Sequence, residues 1–351
     1  MSDIRWMLYG ATGFTGPLIA EEAVRRGHRP ILAGRNAEKL RRMARGSGLK
    51  YVAFDLEDVN TIAEHIADVD VVFHAAGPFT YTSDPMIRAC LATHTHYLDI
   101  TGELPVFENT FTYDEAARSN RIALISGCGF DVVPSDCLDA YVARHVTAAS
   151  LLEIGVAGFG NVSAGTLKSS LEMVANGANT IRQDGKLQDA PFTTKRIPMP
   201  GGDVTALSAP WGDVATAYRT TGIRNIRAYM ATPGPMATLA KISGPLIRPL
   251  LRNAAIRQGV GLLASRFANG PSHEEREQGN VFLWARASND AGETKQAWMA
   301  TPEPYRFTAE IAISAVEQVM AQQPIGALTP AQAFGEDFAF SVEGVERVDA
   351  L

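Results

Sequence analysis

The stretch IRWMLYGATGFTG, residues 4–16, indicates how the first part of the chain folds. Its apolar first half ends at Gly10, and Gly13 and Gly16 follow at equal spacing. A strand that passes into a helix through Gly-x-x-Gly-x-x-Gly presents backbone N–H groups at the helix N-terminus, where a pyrophosphate binds. The alternative is a glycine-rich turn without a ligand. We expect the turn to bind a dinucleotide through Gly10, Ala11, Thr12, Gly13, Phe14, Thr15 and Gly16.

Composition and charge are those of an ordinary globular protein of about two domains. The chain has 351 residues, of which 46% are hydrophobic and 20% charged, and its net charge is −6. This acidic balance argues against sequence-independent nucleic-acid binding, which needs a basic surface. Three cysteines without a Cys-x-x-Cys pair are typical of reduced thiols. Because the sequence shows no signal peptide and no long apolar window, we expect a cytoplasmic protein.

Short apolar runs alternate with amphipathic stretches up to about residue 125. This alternation predicts an α/β fold, a Rossmann-type doubly wound parallel sheet whose ligand lies beyond the carboxyl ends of the strands. The predicted strands are 4–9, 30–33, 51–54, 69–74, 97–100 and 122–125. The predicted helices are 16–26, 36–44, 59–67, 85–93 and 113–119.

The pattern changes after Pro134, where an α+β domain with an antiparallel sheet is expected. Its helices are predicted at 135–145 and 164–176, and its strands at 151–156, 225–232, 281–288 and 295–300. The last two flank Asn289–Gly292, a hairpin signal. We therefore predict a dinucleotide-binding domain at 1–133, completed by a helix at 304–322. A substrate and dimerisation domain follows at 134–300, and a C-terminal docking tail at 323–351.

The end of the second predicted strand bears on the choice of cofactor. Gly34, Arg35 and Asn36 lie about twenty residues after the glycine turn, where a ribose-reading residue belongs. An arginine there holds the 2′-phosphate of NADP, which a carboxylate would repel. We therefore expect NADP(H), although a solvated arginine at a helix start is the alternative. Further expected contacts are Asp55 near the adenine and, below the nicotinamide ribose, Ala76, Gly77 and Pro78.

With these residues in place, the chain resembles the saccharopine dehydrogenase-like NADP-binding oxidoreductases, especially their trans-acting enoyl reductase branch. The resemblance rests on segments 10–16, 33–36, 76–79, 96–103, 126–136, 301–305 and 328–334. It implies a Rossmann domain joined to an α+β substrate domain, and hydride chemistry on a substrate that it does not specify. The family covers C–N oxidoreductases and C=C reductases alike.

Three segments are expected to approach the nicotinamide ring. Tyr81 is the candidate proton donor, with a surface phenol as the alternative. Asp99 and Glu103 are expected to bind substrate or else to cap a turn. Asp131, on a glycine turn, is the second catalytic candidate. Asp136 is a substrate candidate or a helix-start residue. No metal site is expected.

The segment 233–267 combines apolar residues near helical spacing with interleaved arginines. It is interpreted as a core or dimer-forming helix, or as an apolar lid or peripheral membrane contact for a lipid-like acyl chain. A homodimer is expected.

The sequence therefore favours an NADPH-dependent oxidoreductase that reduces an activated C=C bond of an acyl or polyketide-type small molecule. One alternative is a C–N oxidoreductase acting on an amino-acid-derived imine, which would require clustered cations such as Arg182, Lys195 and Arg196. The other is a non-catalytic NADP(H)-binding sensor.

Overall fold

The computed structural model describes residues 4–158, 179–235, 237, 256, 259 and 272–351, and the structural statements below refer to these. The chain divides into two compact units. The first comprises Met1–Asp131 and Tyr305–Gly335, and the second comprises Val132–Pro304 and Glu336–Leu351. The segment predicted as one docking tail is thus divided between the two units at Gly335.

The first unit is built on a seven-stranded parallel sheet. Its strands are β1 (Trp6–Tyr9), β2 (Ile31–Gly34), β3 (Tyr51–Ala53), β4 (Val71–His74), β5 (His96–Asp99), β6 (Ala123–Ile125) and β15 (Gly326–Leu328). Its helices are α1 (Thr15–Arg25), α2 (Ala37–Ser47), α3 (Val59–Ile66), α4 (Phe79–Thr93), α5 (Leu104–Thr112), α6 (Asp114–Asn120), α10 (Pro304–Gln322) and α11 (Pro330–Phe334). The strand order is β15-β6-β5-β4-β1-β2-β3. The chain adds β2 and β3 on one side of β1, and it adds β4 and the later strands on the other side, so the topological switch point lies between β1 and β4. A dinucleotide binds at such a switch point.

Burial explains why these strands are nearly continuous apolar runs. Every residue of β1, β4 and β5 is buried, as expected for a parallel sheet covered on both faces. Helix α10 is tied to α1 by Arg26, whose guanidinium donates to the Ser314 hydroxyl at 2.9 Å and to the Glu310 carbonyl oxygen at 3.1 Å. This late helix is therefore part of the first unit.

The second unit contains a nine-stranded sheet. Its strands are β7 (Leu151–Ala157), β8 (Thr180–Gln183), β9 (Lys186–Asp189), β10 (Thr194–Ile197), β11 (Val204–Ser208), β12 (Asn225–Ala231), β13 (Asn280–Ser288), β14 (Thr294–Pro302) and β16 (Glu346–Val348). Its described helices are α7 (Val133–Arg144), α8 (Asp213–Thr221) and α9 (His273–Gln278). The main path runs β10-β11-β12-β7-β13-β14-β16, while β8 pairs with β12 and β9 pairs with β8.

The predicted fold class is confirmed, with one difference in the second sheet. That sheet is mixed, because β7 and β12 run parallel with Asn225 opposite Leu151, while its other pairs are antiparallel. A parallel pair needs a crossover connection, and the described part of this connection includes α8. A sequence pattern of short alternating runs does not distinguish the two directions.

Two sequence predictions fall largely or wholly on residues that are not described. The helix predicted at 164–176 lies outside the described residues, as does almost all of 233–267. Within the described ranges, no helix is long and apolar enough to cross a membrane.

Candidate functional site

The glycine turn after β1 approaches the neighbouring backbone closely. Gly10 has a φ of +88°, and a Cβ there would lie 2.6 Å from the carbonyl carbon of Ala75. A Cβ on Gly16 would lie 2.5 Å from the Gly10 oxygen, so a side chain would push α1 away from β1. Gly13 has more room and is exposed, as is Phe14. The turn is therefore closed on its inner side and accessible at Gly13.

The start of α1 is suited to an anion. In the part of the chain that the structure describes, no side chain caps this helix. Its first turn carries no acidic residue either. Helices α2 and α3 differ, since the side chains of Asn36 and Asp58 cap them. Because helix N-termini attract negative charge, the turn and α1 fit the pyrophosphate of a dinucleotide.

Arg35 and Asp55 lie at the ends of β2 and β3, on the same side of the turn. The Tyr9 hydroxyl donates to the Phe54 carbonyl oxygen at 3.0 Å. Burial raises the pKa of Tyr9 to about 12, and the charges of Arg35 and Asp55 act on it in opposite directions. Both charged side chains are exposed. The sequence analysis gave no role to Tyr9. Its position directly before Gly10 places it close to the charges of both Arg35 and Asp55.

Two of the predicted cofactor contacts have local structural partners. The Asn36 side-chain oxygen accepts from the Lys39 N–H at 2.9 Å, which caps α2. The Asp55 carboxylate accepts from the Glu57 N–H at 3.1 Å. Gly34 lies beside the turn, because a Cβ on it would be 3.9 Å from the Gly10 nitrogen.

His74 contacts the backbone of the loop Ala75–Pro78. Burial lowers the pKa of His74 to about 4, so the ring is neutral at neutral pH. Its Nε2 lies 3.2 Å from the Ala76 carbonyl oxygen, which also accepts from the Thr82 hydroxyl at 2.7 Å. The neutral ring therefore carries its hydrogen on Nε2, and Nδ1 has no hydrogen-bond partner among the described residues. This contact fixes the direction of the Ala76 carbonyl group.

Glu103 occupies the N-terminus of α4. Its buried carboxylate accepts from the Phe79 N–H at 2.9 Å, the Thr80 N–H at 2.8 Å and the Thr80 hydroxyl. The helix consequently begins at Phe79, and the predicted start at Pro85 is wrong because Pro85 lies inside the helix. Tyr81 is then in a helical turn rather than a loop, and its side chain is 63% exposed.

Asp99 is completely buried and organises the loop after β6. It accepts hydrogen bonds from the Tyr97 hydroxyl, the Ser126 hydroxyl and the backbone N–H groups of Thr101 and Gly127, all at 2.8–2.9 Å. Burial raises its pKa to about 6, against the opposing effect of these donors. Asp99 therefore holds two loops together.

Asp131 completes a series of contacts along the carboxyl edge of the sheet. A Cβ added at Gly102 would overlap the Asp131 carboxylate, so glycine at this position leaves room for the Asp131 side chain as it stands. The loops after β4, β5 and β6 are thus linked through Glu103, Asp99 and Asp131. Asp136 is not part of this arrangement. It belongs to the second unit, where it is buried in α7 and accepts from the Thr220 hydroxyl at 2.5 Å.

The cations proposed for a carboxylate-rich substrate do not form a cluster. Arg182 is buried and donates to the carbonyl oxygens of Val214 and Gly185. Lys195 pairs with Glu153, and Arg196 pairs with Asp203. Within the residues described, no group of three or more His, Cys, Asp or Glu side chains could hold a metal ion.

Comparison with known proteins agrees with this geometry. Residues 10–154 match a family model described as NAD(P)H-binding. A trans-acting enoyl reductase of Mycobacterium tuberculosis is 38% identical over 138 residues, which are 37% of this chain and 33% of that protein. Another M. tuberculosis protein named for the same activity is 35% identical over 188 residues, 49% of this chain and 45% of that protein. The match thus spans less than half the length of these curated relatives.

A solved structure shows the same architecture. Saccharopine dehydrogenase (L-Glu forming) from Saccharomyces cerevisiae superposes with a TM-score of 0.65 over 99% of this chain and 100% of that one. The two sequences are 14% identical, so this likeness concerns the fold.

Together, the glycine turn and the family match define a protein with an NAD(P)H-binding domain at residues 10–154. Its architecture is saccharopine dehydrogenase-like, and its sequence is similar to the trans-acting enoyl reductases over the matched region. The resemblance expected from the sequence is confirmed.

Proposed function

We propose that the chain uses NADPH to reduce an activated C=C bond of an acyl or polyketide-type substrate. The single observation that carries the cofactor assignment is the position of Arg35 beside the turn. When bound, the nicotinamide supplies the hydride, so the protein's own residues have to bind, orient and protonate.

Arg35 supports NADPH because its charge is available. Among the described residues it has no ion-pair or hydrogen-bond partner, and it is exposed directly after β2. Asp55, the nearby carboxylate expected at the adenine, does not pair with Arg35. Its carboxylate accepts a hydrogen bond from the Glu57 N–H in the same turn. A guanidinium offers donors matched to a phosphate, whereas it has no comparable partner in the 2′-hydroxyl of NADH.

The experiment replaces Arg35 by alanine and measures the Kd values of NADPH and NADH. We expect the NADPH Kd to rise about 10- to 100-fold, because losing charge-assisted bonds costs about 1.5–3 kcal/mol. The NADH Kd should stay near its wild-type value. Arg41→Ala is the matched control, since Arg41 is exposed on α2 and pairs with Glu38. Equal weakening of both nucleotides by Arg35→Ala would refute the assignment.

The substrate proposal rests on the partners of three cationic side chains in the second unit. An imine derived from a multi-carboxylate amino acid would need several cations in one place. Arg182 and Arg196 are each engaged separately, and Lys195 is paired with Glu153. This separation favours an acyl substrate, in agreement with the names of the relatives. Following NADPH absorbance with enoyl thioesters and with imino acids tests it, and turnover of imino acids alone would contradict it.

Residue roles follow from the contacts. Tyr81 is proposed as the proton donor because its phenol is exposed beside the Ala75–Pro78 loop. Asp131 is proposed to contact the substrate. Asp99 and Glu103 are proposed as positioning residues, since their carboxylates already accept hydrogen bonds from the protein. Asp136 is proposed as a structural residue of the second unit, where it accepts from Thr220. The homodimer, the cytoplasmic location and the membrane contact through 233–267 stay predictions.

A further inference from the structure

Two buried carboxyl groups meet where α7 packs against α8 in the second unit. Asp139 lies within α7 and Asp213 is the first residue of α8, and neither has any exposed surface. The two carboxyl groups are neighbours, because the residue one helical turn before Asp139 on the same helix, Ser135, contacts Asp213. An ionised carboxylate only accepts hydrogen bonds, so two neighbouring buried carboxyl groups can bond to each other only if one of them carries a proton.

The other groups around the two carboxyl groups do not supply enough hydrogen-bond donors for both to be ionised. The Ser135 hydroxyl donates to Oδ2 of Asp213 at 3.0 Å. Oδ1 of Asp213 and both oxygens of Asp139 meet no protein donor in the described part of the chain. Asp136, one helical turn before Asp139, adds negative charge nearby.

Other charged groups on the surrounding elements have partners of their own. On β8, Arg182 donates to backbone carbonyl oxygens and stacks over Tyr218 of α8. On β14, Lys295 pairs with Asp349. The further titratable or charged side chains of α7 and α8 are Cys137, Tyr141, Arg144 and Arg219, and Asp337, from outside these helices, adds negative charge near Cys137. On the side of the sheet facing α7 and α8, β7, β12 and β13 contribute apolar residues: Leu152, Ile154, Val156, Ile226, Ala228, Met230, Val281, Leu283, Ala285 and Ala287.

We propose that Asp139 and Asp213 share a proton at neutral pH and that this pair makes the second unit less stable as the pH rises. Asp139 carries the proton, because it lies in the interior of α7 with no other donor. Asp213 is the acceptor, because the N-terminus of α8 and the Ser135 hydroxyl stabilise its negative charge. The proposal does not depend on cofactor binding.

The direction of the pH effect follows from proton linkage. Burial raises the pKa of Asp139 well above its ordinary value, and burial also raises that of Asp213. In the unfolded chain, both groups are ionised above about pH 5. The folded state therefore binds more protons than the unfolded state, so the stability contributed by the pair is present at low pH and is lost as the pH rises.

Asp139→Asn tests the proposal, since the amide N–H can donate to Asp213 without titrating. Thermal unfolding is followed by tryptophan fluorescence, because three of the four tryptophans, Trp211, Trp284 and Trp298, lie in the second unit. Between pH 6 and pH 9 we expect the wild-type Tm to fall more steeply than that of Asp139→Asn. The difference should correspond to about one proton released on unfolding. Asp203→Asn is the matched control, with an exposed carboxyl that pairs with Arg196.

Parallel Tm–pH curves for wild type and Asp139→Asn would overturn the proposal, because a purely structural asparagine effect does not depend on pH. If Asp139→Asn does not fold, Ser135→Ala gives the second measurement. Removing the hydroxyl donor should shift the decline in Tm to a higher pH. An unchanged midpoint of the Tm–pH curve would overturn the proposal. Infrared spectra of the wild type at pH 7 should also contain the C=O band of a buried protonated carboxyl group, and its absence would contradict a shared proton.

Discussion

Replacing Glu103 by glutamine separates its two sequence-based interpretations, substrate binding and capping. The carboxylate accepts two buried backbone N–H groups at the start of α4, at 2.9 and 2.8 Å. Each charge-assisted bond of this kind contributes about 1.5–3 kcal/mol. Glutamine keeps one acceptor oxygen and turns an N–H₂ group toward the other donor. We therefore expect the unfolding free energy to fall by about 2–3 kcal/mol for Glu103→Gln and by about 3–6 kcal/mol for Glu103→Ala.

Thermal unfolding by circular dichroism measures this loss directly. For a domain of this size, about 1 kcal/mol corresponds to a Tm change of roughly 2–4 °C, so Glu103→Gln should melt about 4–12 °C lower. Glu64→Gln is the matched control, because Glu64 is exposed on α3 and should leave the Tm unchanged. A Glu103→Gln protein that melts with the wild type but has lost turnover would refute the capping argument and return Glu103 to the substrate.

Three further predictions concern the same edge of the sheet. Gly10→Ala should abolish NADPH binding in calorimetry, because its Cβ would lie 2.6 Å from the Ala75 backbone at a φ of +88°; unchanged affinity would contradict the tight turn. His74→Gln should flatten the pH dependence of unfolding. The folded pKa of His74 is about 4 against an ordinary 6.5, so stability present at pH 7 is lost on acidification, by about 2 kcal/mol at pH 5 and by about 3 kcal/mol once the pH is below 4. Urea titrations at pH 5 and 7 measure this, and an unaltered difference between the two would disprove it. Tyr81→Phe should lower turnover by about 10²- to 10⁴-fold at constant NADPH affinity; wild-type turnover would make Tyr81 a surface phenol.

The sheet of the first unit could be predicted because its signals are local. Its buried strands are mostly apolar runs between helical patterns, and the predicted strand at 122–125 is observed as Ala123–Ile125. The helix expected after Pro302 is present as Pro304–Gln322, with its buried positions at helical spacing. The glycine turn was also readable, since its three glycines fall within seven consecutive residues.

The strands β8 to β11 were not predicted because they carry few buried residues. In β9, no residue is fully buried, and in β10 only Ile197 is. Edge strands of this kind need no apolar alternation, so the sequence contains no period to detect. The parallel pairing of β7 with β12 was missed for a related reason, because strand direction depends on the path of the intervening chain.

The sequence by itself determined the parallel sheet, the glycine turn and the presence of Arg35 after β2. Each of these depends on residues close together in the chain, whose periodicity and turn chemistry act locally. Only the tertiary structure decided that Glu103 caps α4, that Asp99 joins two loops and that Asp139 meets Asp213. These partners are separated by more than twenty residues in the chain. Whether a buried carboxylate binds a substrate, a helix end or a second carboxyl group depends on which donors the fold brings to it.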